Sequence, residues 1–372
     1  MFVGVFLLLL RYKMKIALLN LPFDNNYGGN LQRYALICVL QMMGHEVTHI
    51  NLRVSYSLPF YVLLLRLLKR LIRVVLGQKV DFFYEKHMKE KQKKENIYAD
   101  DFYNTFIPHT NVIYSKRDIT KNIEWNLFDA VIVGSDQVWR YDMAEQTLGI
   151  KYFFLSFIKK NYKIKKIGYA ISLGTYNKED ISKYKNLSYY YELFNAVSFR
   201  EKNAFEYANQ LGWSNPKPNV SLDPTLLLTK EEYIEKLSLK SNQETYVFCY
   251  ILDESNEKKE MISKIKMETN NRFVKCTLNG INKMTIRGWV ESIMNASMVV
   301  TDSYHGVVFS IIFERKVLFL GNQRRGNERL LSLFDLLHIT LKGYEVIYND
   351  TQEILKIMRN ESLKIITNAL YN

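Results

Sequence analysis

The sequence predicts an α/β protein built from two Rossmann-like domains that face each other across a cleft. The chain has 372 residues, which suits two domains of about 100–200 residues each. Hydrophobic residues make up 48% and charged residues 24%, as expected of a protein with a sizeable core. Short apolar runs alternate with helical segments along the chain, an order typical of parallel sheets with right-handed crossovers.

The first predicted domain covers residues 14–235. It opens with the apolar strand Lys15–Leu19, a polar loop at 25–30, and a helix at 31–43 that Gly44 ends. Five further short apolar runs predict strands at 46–51, 128–133, 166–172, 196–199 and 219–222, and most of them end in polar or glycine residues. Open parallel sheets bind ligands at the carboxyl ends of their strands, so a site is expected there.

A second strand-and-helix series follows a capped helix start at Thr229-Lys230-Glu231-Glu232 and a linker at 241–244. It predicts a second domain at 243–345, with strands at 246–251, 272–277, 298–301 and 316–320 and helices at 257–268, 287–295 and 306–313. Residues 346–372 form the predicted C-terminal segment, whose helix at 353–371 is expected to pack back on the first domain. The cleft between the domains is the default ligand site.

The net charge indicates the class of partner, and the cysteines indicate the cellular compartment. A formal net charge of +13 suits anionic partners, namely phosphorylated small molecules, anionic lipid or nucleic acid. The sequence has no recognisable nucleic-acid-binding module, so nucleic acid is the least favoured of these. Cys38, Cys249 and Cys276 lie in apolar runs, and their spacing fits neither a zinc site nor a disulfide framework. They are predicted to be core thiols of a cytoplasmic protein.

The N-terminal residues 1–10 are apolar but too few to span a bilayer, which takes about 20 residues. No small-residue cleavage site follows them. Met14 opens the first predicted strand, and we expect translation to start there rather than at Met1.

An insertion at about 58–80 is dense in Leu, Val and Ile. Its charges are Arg66, Lys69, Arg70 and Arg73, at spacings of three and four that place them on one stripe of a helix. Such a helix either lies in a membrane interface or is buried with a solvated basic edge, and the sequence leaves both interpretations open. The basic run 86–94 that follows is predicted as a solvated helix or loop.

The strongest local motif is the strand-to-helix turn Asp302-Ser303-Tyr304-His305-Gly306. Asp302 and Ser303 are natural N-caps, and Gly306 lets backbone approach a ligand closely. The start of a helix favours anions. His305 at this place can donate to a phosphate or transfer a proton near neutral pH, or it can serve only as a cap or packing residue.

Charged residues follow other predicted strands. Arg200 comes directly after the strand at 196–199, where its guanidinium can bind a carboxylate or phosphate, or form a salt bridge. Asp136, in Gly134-Ser135-Asp136-Gln137, can bind or deprotonate a sugar hydroxyl. Asp223 precedes Pro224, and its expected role is to shape a turn.

Two further segments carry polar residues. Arg324, Arg325 and Arg329 flank Gly326-Asn327 and either line the cleft or form a solvated loop. The first strand-to-helix turn, Asn26-Tyr27-Gly28-Gly29-Asn30-Leu31-Gln32, lacks GxGxxG spacing, so a dinucleotide fingerprint is not supported.

These motifs together resemble the polysaccharide pyruvyl transferase family. Five motifs in the family's order, over roughly residues 15–335, carry the resemblance: Asn26-Tyr27-Gly28-Gly29-Asn30-Leu31-Gln32, Gly134-Ser135-Asp136-Gln137-Val138-Trp139, Ser198-Phe199-Arg200-Glu201, Asp223-Pro224-Thr225-Leu226-Leu227-Leu228 and Ser303-Tyr304-His305-Gly306.

The resemblance implies a GT-B-like fold and transfer of the enolpyruvyl unit of phosphoenolpyruvate to a sugar, which forms a cyclic pyruvate ketal and releases phosphate. The family's functional Arg and His match Arg200 and His305. The resemblance implies that His305 is an acid/base and phosphate contact, that Arg200 clamps a carboxylate or phosphate, and that Asp136 orients the sugar. Some members have Arg-Leu-His where this chain has Ser303-Tyr304-His305, so another cation would have to replace that Arg.

The substrate-binding set expected from these motifs and from the arginine loop is Asn26, Tyr27, Gly28, Asn30, Gln32, Ser135, Gln137, Ser303, Tyr304, Gly306, Arg324 and Arg329. The sequence carries no metal-binding cluster or nicotinamide motif, so we expect no metal and no cofactor besides the donor phosphoenolpyruvate. The acceptor is expected to be a lipid-linked or polymeric sugar of a capsule or exopolysaccharide, met at the inner face of the cytoplasmic membrane.

Two other functions remain open at this stage. A GT-B glycosyltransferase that uses a nucleotide-sugar shares the fold, and Glu314 and Glu328 are candidates for its donor-binding Glu. A non-catalytic protein of polysaccharide assembly is the second alternative, because the Arg matching Ser303 is absent.

Overall fold

The computed structural model describes residues 12–57, 60–159, 161–174, 181–269, 272–278, 282–322 and 327–372. Its strands form two six-stranded sheets, one from each half of the chain. The predicted fold class, α/β with two Rossmann-like halves, is confirmed by this arrangement. Residues 1–11 and Arg324 and Arg325 lie outside the described residues, so the expectations placed on them have no structural counterpart.

The first sheet is entirely parallel, with the strand order β2-β1-β3-β4-β5-β6. Its strands are β1 (Lys15–Leu19), β2 (Glu46–His49), β3 (Ala130–Val133), β4 (Lys165–Ile171), β5 (Ala196–Phe199) and β6 (Asn219–Val220). Alternate residues of β1 enter two different core clusters: Ile16 and Leu18 enter one, and Ala17 and Leu19 the other. The strand is therefore buried on both faces, which explains its continuous apolar run.

The helices of this half are α1 (Tyr27–Met42), α2 (Phe60–Val75), α3 (Tyr84–Phe106), α4 (Lys116–Lys121), α5 (Tyr141–Glu145), α6 (Ile150–Phe153), α7 (Ile181–Lys185), α8 (Ser188–Tyr191), α9 (Lys202–Gln210) and α10 (Lys230–Leu237). Helix α10 starts with the predicted capping box, in which Thr229 and Glu232 bind each other's backbone amides.

Two helices differ from the sequence-based prediction. Helix α1 begins at Tyr27, not at residue 31, because the side chain of Asn26 caps it by accepting from the amide of Gly29. Helix α3 is much longer than the solvated run at 86–94, because Ala99, Phe102 and Tyr103 in its second half are buried.

The second sheet has the order β11-β12-β10-β9-β7-β8. Strands β7 (Tyr246–Tyr250), β8 (Arg272–Cys276), β9 (Met298–Thr301) and β10 (Lys316–Phe319) are parallel, and β11 (Thr340–Lys342) and β12 (Glu345–Ile347) add an antiparallel edge. This edge hairpin was not predicted, since strands of three residues with an exposed first strand carry little periodicity. The helices are α11 (Asn256–Thr269), α12 (Ile286–Asn295), α13 (Tyr304–Ile312), α14 (Glu328–Leu336) and α15 (Thr351–Tyr371).

The C-terminal helix α15 returns to the first sheet. The amide of Leu222 donates to Oγ of Ser362 at 3.0 Å, and Nε of Arg359 donates to the carbonyl of Leu226 at 2.9 Å. Near the end of the helix, the hydroxyl of Tyr371 lies 3.4 Å from Nε2 of His45. These contacts place α15 on the first domain.

Helix α2 has no buried residue, so the interpretation of this insertion as a buried helix with a solvated basic edge is wrong. Cys38, Cys249 and Cys276 are buried and free, as predicted. Across the described ranges, no helix is both long enough and apolar enough to cross a membrane.

Candidate active site

The site lies where strand ends of the two sheets meet. Asp136 follows β3, Arg200 follows β5, Asp223 follows β6, and His305 is in the first turn of α13 after β9. A cavity between the two halves is lined by residues of both, among them Asn26, Asp136, Ser303, Tyr304, His305 and Arg329. The topology of the two sheets, rather than closeness in sequence, brings these groups together.

Arg200 is the central cation of this cluster. Its side chain is only 3% exposed, and its Nη1 donates to Oδ2 of Asp223 at 2.6 Å while Nη2 donates to Oδ1 of Asp136 at 3.2 Å. Burial alone would lower the pKa of this guanidinium, but the acidic groups around it raise the pKa above its ordinary value. Arg200 therefore stays charged and is held by carboxylates from two different strand ends.

Asp223 carries more contacts than a turn residue needs. Its Oδ1 accepts from the amide and hydroxyl of Thr225 at 3.0 and 2.6 Å, which is the turn-shaping role predicted from the sequence. Its Oδ2 also accepts from Nε2 of Gln32 at 2.6 Å and from Arg200. Burial by itself raises the pKa of this carboxyl, but the neighbouring His305 and Arg200 more than offset it, so the pKa lies well below its usual range.

His305 is buried and faces both halves of the molecule. Its Nε2 lies 3.7 Å from Oδ2 of Asp223, an ion-pair distance for a protonated imidazole but too long for a hydrogen bond. Nε2 is buried and has no hydrogen-bond partner among the residues that the structure describes. A methyl group added at Gly28 of α1 would overlap the imidazole ring. The absence of a side chain at Gly28 is thus what lets the ring of His305 fit against α1.

Tyr304 separates the two arginines of the site. The guanidinium carbons of Arg200 and Arg329 lie 4.8 and 5.7 Å from the centre of its ring, within the range of cation–π contacts. The Tyr304 hydroxyl is buried and forms no hydrogen bond within the described ranges, and burial raises its pKa above the ordinary value. The hydroxyl is consequently protonated and free to donate to a ligand.

Arg329, at the start of α14, reaches Asp136 from the second domain. Its Nη1 lies 3.5 Å from the same Oδ1 of Asp136 that binds Arg200, and its side chain is 17% exposed. Although burial raises the pKa of the Asp136 carboxyl, Arg200 and Arg329 lower it more, and the net shift is downward. Asp136 has a φ of 71°, in the left-handed region, which is uncommon for a residue other than glycine and recurs at functional sites.

Glu201 is a buried carboxylate that the sequence reasoning did not single out. Its Oε1 accepts from the hydroxyl of Ser172 at 2.6 Å and from the amide of Leu173 at 3.0 Å. Its Oε2 lies 3.7 Å from Nε of Arg200. Burial raises the pKa of this carboxyl. The signals in the sequence were its position directly after Arg200 and its place in the motif Ser198-Phe199-Arg200-Glu201.

The turn before His305 is built by two residues with different tasks. Ser303 is the N-cap of α13, and its Oγ accepts from the amide of Gly306 at 3.3 Å. Asp302, also expected as a cap, instead accepts from the amides of Leu252 and Asp253 and from Nζ of Lys258. It joins the ends of β7 and β9 beneath the cavity. A Cβ at Gly306 would lie 2.5 Å from Oγ1 of Thr301, so the helix start packs closely on its own strand.

The residues predicted at the first turn divide into two groups. Gln32 reaches the site through Asp223, and Asn26 lines the cavity while it caps α1. Asn30 instead binds the carbonyls of Asp24 and Asn26 and shapes the loop. Tyr27 lies in the core between the domains and not in the cavity.

Ser135 and Gln137, on either side of Asp136, are buried. The Ser135 hydroxyl has no hydrogen-bond partner in the part of the chain that is described, and Oε1 of Gln137 accepts from Nη1 of Arg140 at 3.4 Å. Neither residue is among those that line the cavity. In the described part of the chain, no group of three or more His, Cys, Asp or Glu side chains is arranged to hold a metal ion.

Several solved structures have a similar fold. A putative UDP-N-acetylglucosamine 2-epimerase from Listeria monocytogenes aligns with a TM-score of 0.51 and 12% identity, over 96% of this chain and 90% of that one. A UDP complex of MnaA from S. aureus aligns with a TM-score of 0.48 and 13% identity, over 96% and 91%. An α-glucosyltransferase in complex with UDP and DNA reaches 0.44 and 10%, over 97% and 95%.

At such identities a structural likeness concerns the fold alone. The fold and the interdomain cavity together define the class: a two-domain α/β protein of GT-B-like fold. No curated protein matches the sequence significantly. The family model described as polysaccharide pyruvyl transferase matches residues 26–324, most of the chain. The chain therefore belongs to the polysaccharide pyruvyl transferase family and is a transferase.

Proposed function

We propose that the protein transfers a pyruvyl group from phosphoenolpyruvate to a sugar of a cell-surface polysaccharide or its lipid-linked precursor. One observation carries this proposal: the unpartnered Nε2 of His305 lies 3.7 Å from Asp223 in a cavity that Arg329 also lines. An acid/base beside two guanidinium groups suits a donor that bears both a carboxylate and a phosphate.

The reaction needs one proton delivered to carbon and two removed from hydroxyls. Protonation of the methylene carbon C3 leaves an oxocarbenium-like centre at C2, to which a first sugar hydroxyl bonds. The C2–O bond to phosphate then breaks with its electron pair on the leaving oxygen, and a second hydroxyl closes the ketal ring. Of the two hydroxyl protons, one balances the proton gained at C3 and the other leaves on the phosphate.

His305 is the group we assign to the proton at C3. The Asp223 carboxylate, which Arg200 binds, lies 3.7 Å from Nε2 of His305 and can form an ion pair with the imidazolium. After donating to C3, the neutral imidazole can accept the proton of an attacking hydroxyl, as general acid–base catalysis requires. Buried Asp223 acts by positioning, since Gln32 and Thr225 hold it in place.

The donor anion is proposed to bind where the carboxylate of Asp136 now lies. This carboxylate bridges Arg200 at 3.2 Å and Arg329 at 3.5 Å, and its side chain is 29% exposed. When Asp136 turns toward an acceptor hydroxyl, the two guanidinium groups become available to a carboxylate or phosphate. Arg329 then supplies the cation that some relatives carry at the position of Ser303.

The acceptor is proposed to be lipid-linked or polymeric, so the reaction takes place in the cytoplasm at the inner face of the membrane. The reaction involves no oxidation or reduction, and we propose no cofactor besides the donor phosphoenolpyruvate. The alternative of nucleotide-sugar transfer gains no support from Glu314, which lies beyond the far end of α13 and pairs with Lys230 at 3.8 Å.

The test is phosphate release from phosphoenolpyruvate with a panel of nitrophenyl or lipid-linked sugars. His305→Ala should reduce the rate about 10²–10⁴-fold, and Arg200→Ala should reduce it as strongly. Arg329→Ala should mainly raise the KM for phosphoenolpyruvate. His338→Ala, at an exposed histidine, is the matched control. Thermal stabilisation by UDP but not by phosphoenolpyruvate would contradict the proposal and favour glycosyl transfer.

A further inference from the structure

We propose that helix α2 is an interfacial helix that seats the protein on the surface of an anionic membrane. Most of its apolar side chains point into solvent, which is costly for a soluble surface helix. Among the most exposed are Phe60 at 80%, Tyr61 at 68%, Leu65 at 57%, Ile72 at 60%, Val75 at 79%, and the following Leu76 at 69%. Residues 60–76 contain no acidic side chain.

The helix turns its basic side partly toward the protein, contrary to the usual orientation of a surface helix. At 100° per residue, the half-buried Leu63, Leu67 and Arg70 share one side. Apart from Val74, the exposed apolar residues of 60–76 occupy an adjoining arc of about 160°. The side that faces the protein thus carries Arg70 beside only two leucines, while the wider apolar arc faces solvent.

Arg70 and Arg66 hold this orientation. Both terminal nitrogens of Arg70 bind the carboxylate of Glu85, at 2.5 and 2.7 Å, and Nη1 also donates to the carbonyl of Phe82. Arg66 lies 3.2 Å from the same carboxylate. Glu85 is in the first turn of α3, and Arg70 lowers the pKa of its carboxyl to about 2. The salt bridge therefore persists across physiological pH.

Lys69 and Arg73, unlike Arg66 and Arg70, do not bind Glu85 and are available to bind another anion. Both are exposed, lie beside the apolar arc, and form no ion pair with any residue in the described ranges. Long basic side chains at the edge of an apolar face can extend to anionic headgroups while their stems stay in the apolar layer. Each such residue near an anionic surface strengthens binding by roughly fivefold.

A bilayer surface fits this face better than a second copy of the chain. In an antiparallel two-fold dimer formed through the apolar arc, the basic residues of both subunits would lie along the same side of the interface, where like charges repel. Sixteen helical residues extend about 24 Å, too short to span a bilayer. The helix would lie in the plane of the interface. This inference deepens the proposed function, since the use of such docking rests on the proposed lipid-linked acceptor.

The test is flotation of the full chain with liposomes of phosphatidylcholine alone or with about one-third phosphatidylglycerol, an anionic mixture of the kind that basic interfacial helices prefer. The protein should float with the anionic vesicles, and Lys69→Gln/Arg73→Gln should weaken binding by more than about tenfold. Lys356→Gln/Lys364→Gln, with the same loss of charge on exposed positions of α15, should bind as the unmodified chain does.

A second variant, Leu65→Gln/Leu68→Gln/Ile72→Gln, should abolish flotation with little change in thermal stability, because these side chains are exposed. Ile357→Gln/Met267→Gln is its control at exposed apolar positions of other helices. No flotation of the unmodified chain, unchanged flotation of both α2 variants, or a dimer in light scattering that the apolar variant dissociates would each overturn the proposal. Phosphate release with a soluble nitrophenyl sugar, measured on the same variants, tests the reaction separately.

Discussion

At the scale of single residues, the site depends on one missing side chain as much as on those present. Gly28 is in the first turn of α1, where any Cβ would overlap the ring of His305 on α13. Glycine in a helix normally costs about 1 kcal/mol relative to alanine. Here that cost is offset by the close approach of the His305 imidazole to the first domain.

Gly28→Ala is expected to displace the His305 imidazole and to reduce phosphate release about 100-fold, since small misplacements of a reacting group have effects of that order. The neighbouring Gly29→Ala is the matched control. Its Cβ would meet nothing nearer than 3.7 Å, so activity should be retained and stability should rise by up to about 1 kcal/mol. Equal activity of the two variants would contradict this account of Gly28.

Asp223 links the site to pH-dependent stability. Its folded-state pKa is depressed below the value of about 3.9 found in unfolded chains. The carboxylate therefore stabilises the fold fully above that value, and the stabilisation is lost as pH falls toward the folded-state pKa.

Asp223→Asn is expected to lower the free energy of unfolding by about 3–5 kcal/mol at pH 7, because it leaves the buried Arg200 with less compensating charge. The difference from the unmodified chain should begin to shrink below about pH 4. Urea titrations at pH 7, 5 and 3.5 measure both quantities. Asp101→Asn, at an exposed position, should change stability by no more than about 0.5 kcal/mol; a pH-independent loss in Asp223→Asn would be inconsistent with the linkage.

At the scale of elements, two helix starts build opposite walls of the cavity. Asn26 caps α1 in the first domain and Ser303 caps α13 in the second, each by accepting from the amide three residues further on. Asn26 and Ser303, the two capping residues, also line the cavity. The family's sequence motifs at these two places therefore coincide with helix N-termini, where backbone amides favour an anionic ligand.

Ser303→Ala should lower the free energy of unfolding by about 1 kcal/mol through loss of the α13 cap, whereas Ser303→Thr should retain most of it. Thermal or urea unfolding measures the effect. A stability of Ser303→Ala equal to that of the unmodified chain would show that the cap contributes nothing, and that Ser303 has another role in the turn.

Helix α2 illustrates what periodicity alone cannot supply. The spacing of Arg66, Lys69, Arg70 and Arg73 predicted an amphipathic helix, and the structure has one at Phe60–Val75. Which side of that helix faces the protein depends on Glu85, an acidic residue on the next helix. Because this contact is tertiary, the sequence left two interpretations open.

At the scale of the whole molecule, the two sheets share one hydrophobic core. Residues of α1, such as Tyr27 and Leu31, belong to the same cluster as Trp289 of α12 and Phe309 of α13. Tyr27 stacks on Trp289 with ring centres 5.4 Å apart, and its hydroxyl exchanges hydrogen bonds with the amide and carbonyl of Met284 at 3.0 and 2.8 Å. An apolar interface beside the cleft thus fixes the position of the two sheets relative to each other.

Tyr27→Phe should lower the free energy of unfolding by about 1–3 kcal/mol, because it leaves the backbone of Met284 without its partner. The KM for phosphoenolpyruvate should change little, since Tyr27 lies outside the cavity. Urea unfolding and initial rates measure the two effects, with the exposed Tyr344→Phe as control. A raised KM with unchanged stability would instead place Tyr27 on the substrate.

The sequence by itself determined the alternation of strands and helices, the two-sheet fold class and the family, because these depend on local apolar periodicity and on short motifs in order. It also identified His305, Arg200 and Asp136 as candidates for a site. It did not assign Asp223 and Glu201 to the site. Asp223 precedes Pro224 and could simply shape a turn, and Glu201 could simply pair with the adjacent Arg200.

Only the tertiary structure decided how these groups are joined. Asp223 meets Gln32, Arg200 and His305 through contacts between residues distant in sequence, and Arg329 reaches Asp136 from the other domain. It also decided that Tyr27 belongs to the interface and that α2 exposes its apolar face. Burial, exposure and charge pairing depend on how elements pack against each other. They are therefore defined only when both sheets and the helices between them are packed together.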